Sequence, residues 1–307
     1  MDQIIDITDL DVVYISYDEP QAEKHWLLLK RIAPWAHRVH GIKGSDTAHK
    51  EAAKKCKTNR IITVDGDNIV DLEFFNNQLI LDDKNFDHTF SWRARNSING
   101  LCYGNGGIKC WPIEFIMNMR THESSLGDPE SKIEFCWNEK YTQMHNHYSK
   151  TECNGSPYQA WRAGYREGIK LCLRNGNKPS KSNFLNEVYA KNLNLLRIWQ
   201  TIGMDINNGE FAIMGARQGT YDLMLSDYDF SQVCDFSHLN DRWNDYKDYD
   251  VLNHIEELGQ RLKTGLGLII PMFDKTQSIF FKEYHKIPKN KAFMTTEMEV
   301  IRGIEGW

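Results

Sequence analysis

The first part of the chain switches repeatedly between short apolar runs and helical stripes. Asp11 to Tyr17 carries Val12, Val13 and Ile15 and reads as a strand that stops at Ser16-Tyr17-Asp18-Glu19-Pro20. A helix follows over Gln21 to Ile32. A second short strand, Arg38 to Ile42, then meets Gly44-Ser45-Asp46, which offers a helix cap. The next helix, Thr47 to Lys57, gathers Ala48, Ala52, Ala53 and Cys56 on one face and turns its lysines elsewhere. It leads into Ile61-Ile62-Thr63-Val64, β-branched and mostly apolar, the pattern of a buried parallel strand. Strand, helix, strand, helix, strand within the first 65 residues predicts a nucleotide-binding half of a doubly wound α/β sheet. No Gly-x-Gly-x-x-Gly follows the first strand, which argues against a nicotinamide dinucleotide.

Further along, His88 to Arg95 and Leu101 to Tyr103 read as strand-rich, and Gly104-Asn105-Gly106-Gly107 allows close approach of backbone to a ligand or another chain segment. Ser156 and Pro157 cap a long amphipathic helix, Tyr158 to Leu173. Helices are expected over Phe184 to Ile202, Glu210 to Leu225 and Val251 to Lys263, with Asn175 to Ser182 as a linker.

The strand Ile61 to Val64 opens into Asp65-Gly66-Asp67, two carboxylates at the place where an open α/β sheet collects ligands. Hard oxygen donors at this spacing suit Mg²⁺ or Mn²⁺ with positions left for phosphate oxygens. Three readings compete. A calcium hand needs further acidic ligands that Val70 to Phe74 do not supply. An aspartyl phosphotransferase pair would lie nearer the N-terminus, with Thr or Val where this chain has Ile69. Two turn-forming aspartates could also simply end a strand.

Composition narrows the setting. The 307 residues are 41% hydrophobic with no run long enough to cross a membrane, and the start lacks a secretory pattern, so the expectation is a cytoplasmic protein without membrane contact. Seven cysteines without a Cys-x-x-Cys pair fit a reducing compartment and buried thiols. Net charge is −5, yet Ala22 to Arg60 holds ten Lys or Arg against three acids and Arg162 to Arg197 eight against two. Asp222 to Gln260 reverses this, with ten acids against two bases. A local positive face on an acidic body suits a nucleic-acid or sugar-nucleotide enzyme, and solvated helix faces would give the same counts.

Several segments together resemble the A-fold (GT-A) glycosyltransferases of tailed bacteriophages: Tyr17-Asp18, the helix from Gly44 to Ala53, Val64 to Asn68, Asn99 to Gly107, and Ser156 to Glu167. The resemblance covers roughly residues 10 to 220 and is greatest to enzymes that decorate hydroxymethylcytosine in T-even-like phage DNA, the arabinosyltransferase type above all. It implies an α/β fold with a Rossmann-like, nucleotide-binding mixed sheet flanked by helices. A core over 1–220 would carry a mainly helical C-terminal accessory region over 221–307. It implies a UDP-sugar donor (UDP-arabinose or UDP-glucose), Mn²⁺ or Mg²⁺ on the diphosphate, and DNA containing 5-hydroxymethylcytosine as acceptor. A glycan or small-molecule acceptor, or a silent nucleotide-sugar-binding protein, are the alternatives.

Carried over residue by residue, Asp65 and Asp67 would hold the metal, with His238 or His254 as third ligand. Tyr17, Asp18, Ser45 and His49 would line the nucleotide, and Gly66, Gly106 and Gly107 would shape the site. The base expected after the glycine loop has no clear match. Glu152 and Glu167 are the available carboxylates, and Glu167 could instead pair with Arg162 or Lys170 along its helix. Arg162 and Arg166 could hold phosphates or solvate that helix. His145 and His147 could face the acceptor, and Tyr158, Trp161, Tyr165, Trp199 and Lys178 to Lys181 could meet DNA, since an extruded base costs a few kcal/mol to unstack.

Overall fold

The computed structural model describes residues 3–104, 106–119, 140–284 and 300–302. Cys136, read above as a buried thiol, lies outside them. Strands β1 (Gln3–Asp6) and β6 (Gln78–Leu81) form a separate antiparallel pair. The main sheet runs β10 (Val300–Arg302), β9 (Tyr141–Thr151), β7 (Thr89–Asn96), β8 (Ile108–Pro112), β4 (Arg60–Asp65), β2 (Asp11–Ser16), β3 (His37–His40), with β5 (Asn68–Val70) paired to β9. Within it β3, β2 and β4 are parallel, whereas β8 runs antiparallel to both β4 and β7. This is the α/β plan expected from the sequence, a mixed sheet flanked by helices with a helical C-terminal part.

Side chains alternate along β2 and β4 and feed two cores. Val12, Tyr14, Ile62 and Val64 pack with Trp26 and Leu29 of α1 (Ala22–Ile32). Val13 and Ile61 pack on the other face with Ala52 and Ala53 of α2 (Ser45–Lys54) and Ile116 of α3 (Ile113–Asn118). Helices on both faces explain why these strands read as nearly unbroken apolar runs.

The helical part is built on α4 (Pro157–Lys170) and α7 (Gly209–Leu225). Ser156 caps α4 as expected, its Oγ accepting from the Gln159 N–H at 3.1 Å, and Gln159 Oε1 accepts in return from the Gly155 N–H at 2.8 Å. A Cβ on Gly164 or Gly168 would meet the carbonyl of Ala212 or Ala216 at 2.0 or 2.3 Å, and one on Gly215 or Gly219 would meet that of Trp161 or Tyr165 at 2.1 or 2.2 Å. Four glycines therefore set the distance between the two helices. The segment expected as one helix over Phe184 to Ile202 divides into α5 (Phe184–Glu187) and α6 (Ala190–Trp199), because Val188 turns extended to bury its side chain. Helices α8 (Phe236–Tyr246), α9 (Val251–Leu266) and α10 (Lys275–Tyr284) complete this part.

Arg217 on α7 donates to the carbonyls of Gln200, Ile255 and Pro271 and so ties α7 to α9 and the segment after it. Residue 220 lies inside α7, and residues on both sides of it share one apolar cluster. Leu173 and Phe184, which bracket the expected linker, belong to the same cluster. No helix among the described residues is long and apolar enough to cross a membrane.

Gly168→Leu is expected to force the two helices apart and lower stability by about 1–3 kcal/mol. Urea unfolding checks it, and an unchanged midpoint would contradict the close packing.

Candidate active site

The parallel strands lie in the order second, first, third, so α1 and α2 leave the sheet on opposite faces. That arrangement makes the carboxyl ends of β2 and β4 the switch point where such sheets bind ligands. Ile15 is paired with Asp65 across it, which places Tyr17 and Asp18 on one side and Asp65-Gly66-Asp67 on the other.

Every residue of the aspartate loop is restrained through its backbone. The Asp65 N–H donates to Gly107 O at 2.8 Å, and the Glu152 N–H donates to Asp67 O at 2.7 Å. Gly66 O lies 2.6 Å from the Tyr14 hydroxyl and 3.1 Å from His25 Nδ1. A Cβ on Gly66 would lie 2.6 Å from the Glu19 carboxylate, so glycine admits that third acid to the site. The Asp67 carboxylate accepts from Asn68 Nδ2 at 2.7 Å, and Asn68 is itself oriented by Ser149 Oγ at 2.9 Å. Burial pushes the Asp67 carboxyl up to about 6, the charges of Asp65 and Glu19 add to that, and Arg162 opposes it. Asp65 is 43% exposed, with Lys109 Nζ 3.7 Å from its carboxylate.

Around this loop the other candidates take different parts. His49 is buried, its Nδ1 2.9 Å from Ser45 O and its ring edge-on to Trp111. Burial holds it below the usual imidazole range, although the neighbouring Asp65 pulls the other way. Ser45 opens α2 but does not cap it, since Gly44 takes that position with φ 91°. Tyr17 is 45% exposed, and its N–H donates to Glu19 Oε2 at 2.8 Å. Gly106 and Gly107 are glycines because the chain crosses itself there. A Cβ would meet Trp92 O at 2.1 Å from Gly106 and the Asn68 amide at 2.0 Å from Gly107. The buried Lys109 Nζ donates to Gly106 O at 2.9 Å.

The two glutamates read as candidate bases serve as braces. Glu152 meets Lys150 at 3.0 Å, His25 at 3.2 Å and Lys24 at 3.3 Å. Against the effect of burial, the hydrogen bonds from Lys150 and His25 and the charges of Lys150 and Lys24 hold its carboxyl at about 2, which makes it a weak base. Glu167 accepts from Tyr103 and from Lys170 at 3.0 Å, and Tyr103 in turn accepts from Trp199 Nε1 at 2.6 Å. Burial raises the Glu167 carboxyl less than Lys170 and Tyr103 lower it. It joins α4 to the loop before Gly104 and to α6.

Arg162 and Arg166 lie over Phe236 at 4.5 and 5.6 Å, and Arg162 also lies over Tyr158 at 5.2 Å. His238 stacks on Tyr228 at 5.7 Å near the start of α8. His254 Nε2 lies 2.9 Å from Gln218 Oε1, and His145 and His147 fall within β9. Among the described residues no three His, Cys, Asp or Glu side chains converge as a metal-holding group, so Asp65, Asp67 and His238 are not gathered into one. Trp161, Tyr165 and Trp199 are at most 3% exposed and belong to the helical core, which removes them as stacking platforms for DNA. Lys178 and Lys181 are exposed.

Glu19, His25, Asn68 and Lys109 were not singled out from the sequence. Lys109 alone left a signal there, as a cation inside the otherwise apolar run Ile108 to Trp111.

A carboxyl raised from 3.8 to about 6 binds its proton more tightly in the folded state. Its unfavourable charge therefore weighs on stability at neutral pH and is relieved as pH falls through about 6. Asp67→Asn is expected to raise Tm at pH 7 in metal-free buffer by roughly 2–6 °C. The gain should disappear below the ordinary aspartate range, and thermal unfolding across pH checks it. The chain matches no protein-family model, and neither the curated proteins nor the solved structures supply a match.

Proposed function

We propose that this chain is a metal-dependent glycosyltransferase of the A-fold type. It would take arabinose or a hexose from a UDP-sugar and pass it to the hydroxymethyl group of 5-hydroxymethylcytosine in DNA. One observation carries the donor half of this reading: Asp65-Gly66-Asp67 sits at the switch point between β2 and β4, facing Tyr17 and Asp18. Asp65 and Asp67 are hard carboxylate donors of the kind that Mn²⁺ or Mg²⁺ takes, with the remaining positions left to diphosphate oxygens and water, since among the described residues no third His, Cys, Asp or Glu completes a metal-holding group. Bound there, the cation would neutralise the diphosphate as it leaves.

The chain's own groups would do the rest. Asn68 fixes the orientation of the Asp67 carboxylate, and Tyr14 holds the Gly66 carbonyl. Arg162, the cation whose charge reaches Asp67, would add a second positive charge toward the phosphates. Tyr17 and Asp18 would meet the uridine. Glu152 and Glu167 hold the frame and leave the proton of the acceptor hydroxyl to another base.

The acceptor half rests on the resemblance, with Arg162, the partly exposed Tyr158 and the exposed Lys178 and Lys181 as its DNA-facing candidates. The burial of Trp161, Tyr165 and Trp199 favours the alternative of a glycan or small-molecule acceptor at the same donor site.

Incubation with hydroxymethylated or unmodified DNA and labelled UDP-sugars, with and without Mn²⁺, separates these readings. The expected result is Mn²⁺-dependent labelling of hydroxymethylated DNA alone, abolished in Asp67→Ala. UDP release without labelled DNA would move the acceptor elsewhere. Absence of release from every sugar, or full activity in Asp67→Ala, would overturn the enzyme assignment. Charge reversal at Lys178 and Lys181 should weaken DNA binding and flatten its salt dependence, measured by fluorescence anisotropy against ionic strength.

A further inference from the structure

Arg162 and Arg166 stand one turn apart on α4, and both guanidinium groups lie over the ring of Phe236, at 4.5 and 5.6 Å. Like charges at that spacing repel, so their convergence needs a cause. The phenyl ring supplies it, because its negative face attracts both cations. Tyr158 adds a second ring 5.2 Å from Arg162, and its hydroxyl donates to the Phe236 carbonyl at 3.4 Å. Among the described residues neither arginine meets a carboxylate at ion-pair distance. Glu167 is taken by Lys170 and Tyr103, and Asp222 by Arg242 and Tyr165. Nε of Arg166 is sealed from solvent and faces no acceptor. A solvated helix face would not leave a guanidinium donor dry and unpaired.

We propose that Arg162 and Arg166 form a phosphate-binding site that works without a metal, with Phe236 as the positioning residue that gathers them. Guanidinium forks match phosphate oxygens by paired N–H donors, so a phosphate between the two arginines replaces their repulsion with charge-assisted contacts. The ring comes from the C-terminal part of the chain. Phe236 opens α8, and Asp235 fixes that turn by accepting from the N–H groups of Ser237 and His238 at 2.8 and 3.2 Å. The site adjoins the aspartate loop, since the charge of Arg162 reaches Asp67 and that of Asp18 reaches Tyr158. The phosphate is that of a nucleotide donor or that of a nucleic-acid backbone. Its part in transfer rests on reading the loop as the donor site, whereas the binding of phosphate does not.

Calorimetric titration of inorganic phosphate in EDTA tests the site in the wild type, in the double variant Arg162→Gln with Arg166→Gln, and in Phe236→Leu and Phe236→Trp. Phe236 is 47% exposed, so changes there spare the core. The wild type is expected to bind phosphate, and the double variant to bind it roughly tenfold more weakly or worse. Phe236→Leu should lose roughly two- to fivefold, and Phe236→Trp should regain it, because indole attracts a cation more strongly than phenyl. Displacement of the phosphate by UDP assigns the site to the donor, and displacement by a short single-stranded oligonucleotide assigns it to the acceptor backbone. Phosphate that neither displaces, that binds the double variant equally, or that fails to bind the wild type would overturn the site. An unchanged affinity in Phe236→Leu, or a loss that Phe236→Trp does not restore, would remove Phe236 from it. UDP binding indifferent to Mn²⁺ would count against the aspartate loop as a metal site and leave the arginine site to be decided by the phosphate titrations.

Discussion

Carboxylates placed at the ends of two adjacent parallel strands repel one another, and the rest of the fold has to hold them there. Asp65 and Asp67 leave β4 while Glu19 leaves β2, and a Cβ at Gly66 would collide with the Glu19 carboxylate. The cost is visible in the Asp67 carboxyl, displaced to about 6 by burial and by its two neighbours. The restraint comes from backbone bonds to Gly107, Glu152, Tyr14 and His25, each from a different part of the chain. A loop pinned from four directions cannot relax its charges apart, and a divalent cation would relieve the strain in place.

The helical part contributes through α4. Its glycine face lets it approach α7 closely, while Arg162 and Arg166 on the same helix lie over Phe236, and Arg162 also over Tyr158. The aromatic side chains between them are packing, not recognition. Trp161 stacks on Tyr165 at 4.8 Å, and Asp222 accepts from Tyr165 at 2.8 Å and from Arg242, so this cluster is committed to the interior. Glu167 is likewise absorbed in holding Tyr103 against α4, which leaves the cleft with fewer free carboxylates than the sequence offered.

The parallel triplet and the capped helix α4 were legible because local signals coincide there: apolar runs buried on both faces, a Ser-Pro start, and glycines at turns. Strand β9 was not, since Tyr141 to Thr151 is mostly polar and has neither a strand alternation nor a helical stripe. Its buried polar groups are satisfied across the sheet, Thr142 by His88 at 2.9 Å and Gln143 by the Ser91 carbonyl at 2.9 Å, a pairing invisible to any local window. The same limit applies to the site. The sequence pointed to Asp65 and Asp67, but it could not separate a base from a brace at Glu152, because Lys24 and His25, which hold it together with its near neighbour Lys150, come from the distant α1. The glycines at 106 and 107 suggested a ligand, and the close neighbour turned out to be the protein itself.

In the proposed function, Asp65 and Asp67 would hold a divalent cation that recruits a nucleoside diphosphate. Calorimetric titration of UDP into the wild type and Asp67→Asn, with and without Mn²⁺, tests it most directly. UDP binding is expected to depend on Mn²⁺ in the wild type and to be lost in Asp67→Asn. UDP binding of equal strength without the metal, or unchanged in the variant, would contradict it.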